Sequence, residues 1–225
     1  DLHKAIRRQR QMCIRDRIVH KVKHNTKRLI TSIKWVIFSI VVGIVAGSCG
    51  TAFYFALSVV TDFRMKYPWL IYFLPIGGLA IVGLYHLCKD DNDTGTNLVI
   101  SAIHSGDKVP FIMAPLIFVS TLITHLFGGS AGREGAALQM GGSIGSSIGR
   151  VFRFDEKDKH VMIMCGMSAA FSALFGTPMA AAIFSMEMIS VGVMYYIALV
   201  PCVISSLIAH GIASYSVSYT HLRAH

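Results

Sequence analysis

The chain has 225 residues, 53% of them apolar and 15% charged, and its mean hydropathy is +0.56. That balance places it among membrane proteins rather than water-soluble ones. Its net charge of +9 lies wholly in residues 1–34, which hold 11 Lys/Arg against Asp1 and Asp16, while the rest holds 10 of each sign and cancels.

A basic run followed at once by an apolar one reads as a cytoplasmic flank under the positive-inside rule. The same succession argues against nucleic-acid binding, the other use of such a run. The leader has no early apolar core, and the first apolar run is too long for a signal peptide and lacks a small-residue cleavage site, so no cleavable signal is expected. Arg8–Arg17 and Val217–His225 resemble translated sequencing-adapter read-through. Residues 1–17 are therefore expected to be artefactual or disordered, 18–34 a basic cytoplasmic segment, 35–214 the transmembrane part and 215–225 an artefactual tail. The orientation argument does not depend on the first 17 residues, because Lys21, Lys23, Lys27, Arg28 and Lys34 remain without an acid among them.

Uncharged runs cover Trp35–Thr61, Tyr67–Cys88, Val109–Gly132, His160–Met186 and Met188–Leu222. Each reaches the roughly 20 residues an α-helix needs to cross a bilayer core. The first predicts one long helix whose Gly43 and Gly47 form a small-residue packing face. The second predicts a helix over Trp69–Leu87, interrupted by Pro75 and Gly77-Gly78. A polar break follows at 89–95, then a short apolar stretch, Thr96–His104, of about 14 Å if helical. Pro110–Phe127 predicts a full-length helix, and Arg133 to about Arg150 a short one. After a charged loop come Val161–Phe175, a break at Gly176-Thr177-Pro178, a helix to about Ser190 and a last one over Val193–Ala213.

Gly128-Gly129-Ser130-Ala131-Gly132-Arg133-Glu134-Gly135 sets a glutamate and an arginine between two runs with no other charge. An ionisable residue at membrane depth costs roughly 2.5–3.5 kcal/mol on insertion scales, so Glu134 marks a pathway or a partner. Short, glycine-interrupted helices among full-length ones point to a transporter site, because a helix beginning inside the membrane presents unpaired N–H groups and a positive dipole end. Such an end attracts an anion without a buried cation. Two stretches have this form, Gly95-Thr96-Asn97 and Gly132-Arg133-Glu134-Gly135; close packing of helices is the other use of their glycines.

The cysteines at 13, 49, 88, 165 and 202 show no CxxC pairing, and Cys49, Cys165 and Cys202 read as packing residues. The histidines show no HExxH spacing, so neither a metal nor a cofactor is expected.

At GGSAGREGAALQMGGSIG (residues 128–145) the chain resembles the CLC chloride channels and anion/proton exchangers, whose pattern is usually written GREGP. Phe175-Gly176-Thr177-Pro178-Met179-Ala180-Ala181, with Phe184 and Glu187 beyond, is similar to that family's F-N-A-P-L-A-G segment. The resemblance covers roughly residues 30–215. It implies an all-α multi-pass membrane protein, the first of two inverted-topology repeats, with short half-helices whose N-termini face an anion site. Glu134 would be the gating glutamate, a carboxylate that competes with the anion and carries protons. Gly132, Arg133, Gly135 and Ala136 would shape the helix start, with Arg133 holding nearby carbonyls. Chloride or fluoride, protons, the lipid bilayer and, at full length, a second copy as homodimer are the implied partners, in a bacterial inner membrane.

Three departures stand out. Gly95-Thr96-Asn97-Leu98-Val99 replaces the usual GSGIP, and Ala136 replaces proline, which resembles the fluoride-transporting branch; Thr96 takes the place of the anion-coordinating serine. Met188 follows Glu187 where many exchangers carry a second glutamate, leaving Glu187 as a secondary acid. The second repeat is not in the sequence. Two other readings stay open: an intramembrane serine hydrolase, since Gly128–Gly132 formally matches GxSxG with His125 nearby, and a purely structural membrane subunit.

Overall fold

The computed structural model describes the backbone of residues 2–88, 110–188 and 196–223, and the side chains of 31–88, 110–188 and 196–217. All regular structure among these residues is helical. The elements are α1 (Leu2–Lys66), a 3-10 turn (Pro68–Phe73), α2 (Leu74–Leu87), α3 (Met113–Leu126), α4 (Arg133–Val151), α5 (Glu156–Phe175), α6 (Pro178–Glu187), a second 3-10 turn (Tyr196–Ala198) and α7 (Leu199–Arg223). The chain divides into two units, residues 1–37 and 38–225.

The first unit is the leading part of α1. The sequence predicts an artefactual or disordered stretch over 1–17 and an amphipathic or flexible lead-in over 18–34, with the spanning helix starting at Trp35; the backbone is helical from Leu2. Residues 2–34 contain neither Gly nor Pro, so charge alone does not stop the helix. Near its end the Lys34 ammonium lies 5.5 Å from the centre of the Trp35 ring.

In the second unit, α5 is the hub, packing on α4, α6 and α7. Apolar attraction between helices is weak in a bilayer, so small residues and polar bonds must supply the contact. Both are present. A side chain on Gly141 or on Gly166 would run into the other's carbonyl, and one on Gly145 into that of Met162, so α4 and α5 touch backbone to backbone. Between α5 and α7, Ser168 donates to the Cys202 carbonyl at 3.0 Å, Ser172 to Ser206 at 2.8 Å, and Ser205 back to Cys165 at 3.1 Å. Gly43 and Gly47 face Ser205 and Ala209 of α7, as their spacing predicts. Cys165 and Cys202 are fully buried in this packing and Cys49 partly so.

Among the described residues, three helices are long and apolar enough to cross a membrane: Thr31–Lys66, Pro68–Leu87 and Tyr196–Val217. The expected full-length helix at Pro110–Phe127 is shorter, 14 residues, or about 21 Å. Gly128, at φ +80°, closes its far end. Pro75 starts α2 instead of interrupting it, because proline fits the first turn, where its missing N–H is not needed. The helix from Arg133 runs to Val151, 19 residues, one residue past the expected end near Arg150. That after Gly176 is 10 residues long and ends at Glu187. Glu156 and Asp158 complement the positive end of α5, which therefore begins ahead of Val161. Helicity also runs past residue 213, to Arg223.

Candidate functional site

The glycines before Arg133 do two separate jobs. Gly128 N–H bonds the His125 carbonyl at 3.2 Å and Gly129 N–H the Thr124 carbonyl at 2.8 Å. With Gly128 left-handed, this is a Schellman closure, which satisfies the last carbonyls of α3. A side chain on Gly128 would also meet the Arg64 guanidinium at 2.9 Å. Gly128-Gly129 therefore ends a helix and is not itself an anion cradle.

Gly132 does the second job. It is the N-cap of α4, with extended backbone (φ −70°, ψ 120°) and no side chain to bond the first N–H groups. Nothing lies within 4 Å of the place a Cβ would take, so the approach to this helix end is open. Burial begins at Ala136, 7% exposed, while Gly132, Arg133 and Glu134 are exposed and Gly135 intermediate. The result is a rigidly packed helix whose positive end is bare and carries an acid in its first turn. Among the described residues Glu134 makes no hydrogen bond or ion pair.

Arg133 lines a cleft of about 180 Å³ with Asp62, Tyr54, Ser58, Thr61 and Leu174. Pattern reading missed Asp62, although a signal was there: it is the one charge on α1 between Lys34 and Arg64. Glu187 does not line this cleft; it is exposed at the last position of α6. Gly95, Thr96, Asn97 and Leu98 lie outside the described residues. The hydrolase geometry is not met. Ser130 follows helix α3, not the strand a nucleophile elbow needs, and His125 Nδ1 lies 2.9 Å from the Thr121 carbonyl of its own helix.

Among the described residues, regular structure that is all helical and includes membrane-length apolar helices defines the class of multi-pass α-helical membrane proteins. Within that class the chain belongs to the CLC family: the sequence profile of the voltage gated chloride channel family matches residues 77–224. A chloride/fluoride channel protein of Pseudomonas syringae pv. tomato is 40% identical over 190 residues, which are 84% of this chain and 42% of that protein. The H⁺/Cl⁻ exchange transporter ClcA of Vibrio cholerae is 28% identical over 199 residues, 77% of this chain and 40% of that one. The crystal structure of a CLC-type fluoride/proton antiporter superposes with a TM-score of 0.76 at 36% identity, over 81% of this chain and 47% of its own. A slow cyanobacterial Cl⁻/H⁺ antiporter shares the fold, with a TM-score of 0.66 at 23% identity, over 80% of this chain and 46% of its own. The chain thus spans less than half the length of these relatives.

Proposed function

We propose that this chain is the first half of a CLC-type transporter that moves a small anion across a membrane, with Glu134 as its gate. The observation that carries the proposal is the uncapped start of α4 at Gly132 with Glu134 in its first turn. An ionised Glu134 repels an approaching anion and occupies its place at the helix end; a protonated one does neither. Gly132, Gly135 and Ala136 let the anion approach the amides, and Arg133 is scaffold at the cleft with Asp62. Gly95, Thr96, Asn97 and Leu98 are the companion motif, and Glu187 is a secondary acid without a route through Met188. Fluoride is the favoured cargo over chloride, because the solved structure at 36% identity is a fluoride/proton antiporter, while the relative at 40% identity is named for both ions. Transport is coupled to protons through the same carboxylate. The full-length protein works as a homodimer in the bacterial inner membrane with the basic N-terminus in the cytoplasm, and the reading is transport, not catalysis.

The test is anion efflux from vesicles holding the full-length protein, with fluoride and chloride compared in the same preparation. Efflux should rise as pH falls in the wild type and lose that dependence in Glu134→Gln. An absent flux, or a pH profile indifferent to the substitution, overturns the assignment; equal fluoride and chloride rates overturn the choice of cargo alone.

A further inference from the structure

Away from the anion site, two adjoining apolar cavities of about 440 and 360 Å³ open between α1, α3 and α4. Val45, Phe111 and Ile144 wall both, so they form one groove. Val41, Val45 and Cys49 lie at i, i+4 and i+8 on α1, which gives the groove a length of about 12 Å along that helix. Apart from Ser147 its lining is apolar until one end, where Arg150 enters the wall.

That end is built in an unusual way. Phe154 N–H bonds the Gly149 carbonyl and Arg153 N–H the Arg150 carbonyl, both at 3.0 Å, a Schellman closure of α4. Its left-handed position, normally glycine, is held by Arg153 at φ +53°. A non-glycine residue in that conformation is uncommon. The Arg153 side chain is exposed and has no hydrogen-bond or ion-pair partner among the described residues. Phe152 and Phe154, gathered edge-on around Phe38 at 4.9 and 4.6 Å, fix this corner. An amphipathic occupant fits: an aliphatic body within the groove and an anionic head at Arg150, with Arg153 three residues further on.

We propose that the groove binds one acyl chain of an anionic phospholipid, with the phosphate held at the mouth by Arg150 and the exposed Arg153 three residues further on as the second cation. The inference rests on the membrane setting of the family and is independent of which ion is carried. The purified protein, stripped of lipid and titrated with phosphatidylglycerol or phosphatidylcholine of identical chains, should retain one phosphatidylglycerol per chain by native mass spectrometry, several-fold more readily than the zwitterionic lipid. Arg150→Gln with Arg153→Gln should erase the headgroup preference. Val45→Trp, at a position 46% exposed and so tolerated by the fold, should block retention of both lipids. In vesicles of brominated phosphatidylglycerol the introduced indole should be quenched. Equal retention of the two lipids, retention indifferent to Val45→Trp, or an unquenched indole overturns the proposal; the last outcome means that a further stretch of protein or a second copy covers the groove.

Discussion

The break between α3 and α4 and the break between α5 and α6 share one backbone device and differ in the residues just beyond it. Each closes a helix with a left-handed glycine, Gly128 at φ +80° and Gly176 at φ +70°. Each then starts a helix without a side-chain cap, at Gly132 and at Thr177. After Gly128 the chain stays non-helical to Gly132 and puts Glu134 in the first turn, whereas after Gly176 it restarts at once with Pro178 and no acid. An uncapped start is thus not sufficient to mark a gate. What separates the two is a titratable group in the first turn, which under the proposed function stands where an anion would bind.

The largest expected effect tests that separation directly. Glu134→Gln should abolish the pH dependence of efflux, and the same change at Glu187, at the far end of α6, should leave it standing. If Glu187→Gln flattens the profile as well, the two breaks share the gating role. Next is Gly128→Ala, which must adopt a left-handed conformation and displace the Arg64 guanidinium; a loss of about 2 kcal/mol is expected by thermal unfolding in detergent. Gly176→Ala meets nothing nearer than His210 Cε1 at 3.9 Å. It should therefore lose only the conformational part, about 1 kcal/mol. Equal losses would mean that Arg64 yields freely. The smallest effect is at Thr177, a residue type that usually caps. Its side chain makes no cap bond. Thr177→Ala should consequently cost well under the ~1 kcal/mol of an ordinary N-cap loss.

Local patterns carry much of this in the sequence itself. The Gly43/Gly47 face, the helix end at Gly128-Gly129 and the start at Arg133 depend on neighbours a few residues away, and spacing shows them. The limits of α1 and α3 are not legible in the same way, because an uncharged run is a statement about solvent, while a helix ends where its backbone bonds stop. Lysines and arginines let α1 begin at Leu2, and a left-handed glycine closes α3 after 14 residues. Asp62 escapes pattern reading as a neighbour of Arg133 because it comes from a different helix, far back in the chain, and no local pattern encodes that meeting. The Gly95–Leu98 expectation lies outside the described residues and stands as a proposal.

The backbone contact between α4 and α5 has a consequence for how fast a gate here would work. With Gly141 against Gly166 and Gly145 against Met162, α4 has no slack to slide or tilt without opening a seam along its length. Under the proposed mechanism, opening is then left to one exposed side chain. Rotamer changes of such a group take picoseconds to nanoseconds, against microseconds or longer for a moving helix. Turnover would be timed by the arrival of protons and the departure of anions, and stiffening the bilayer should slow it little.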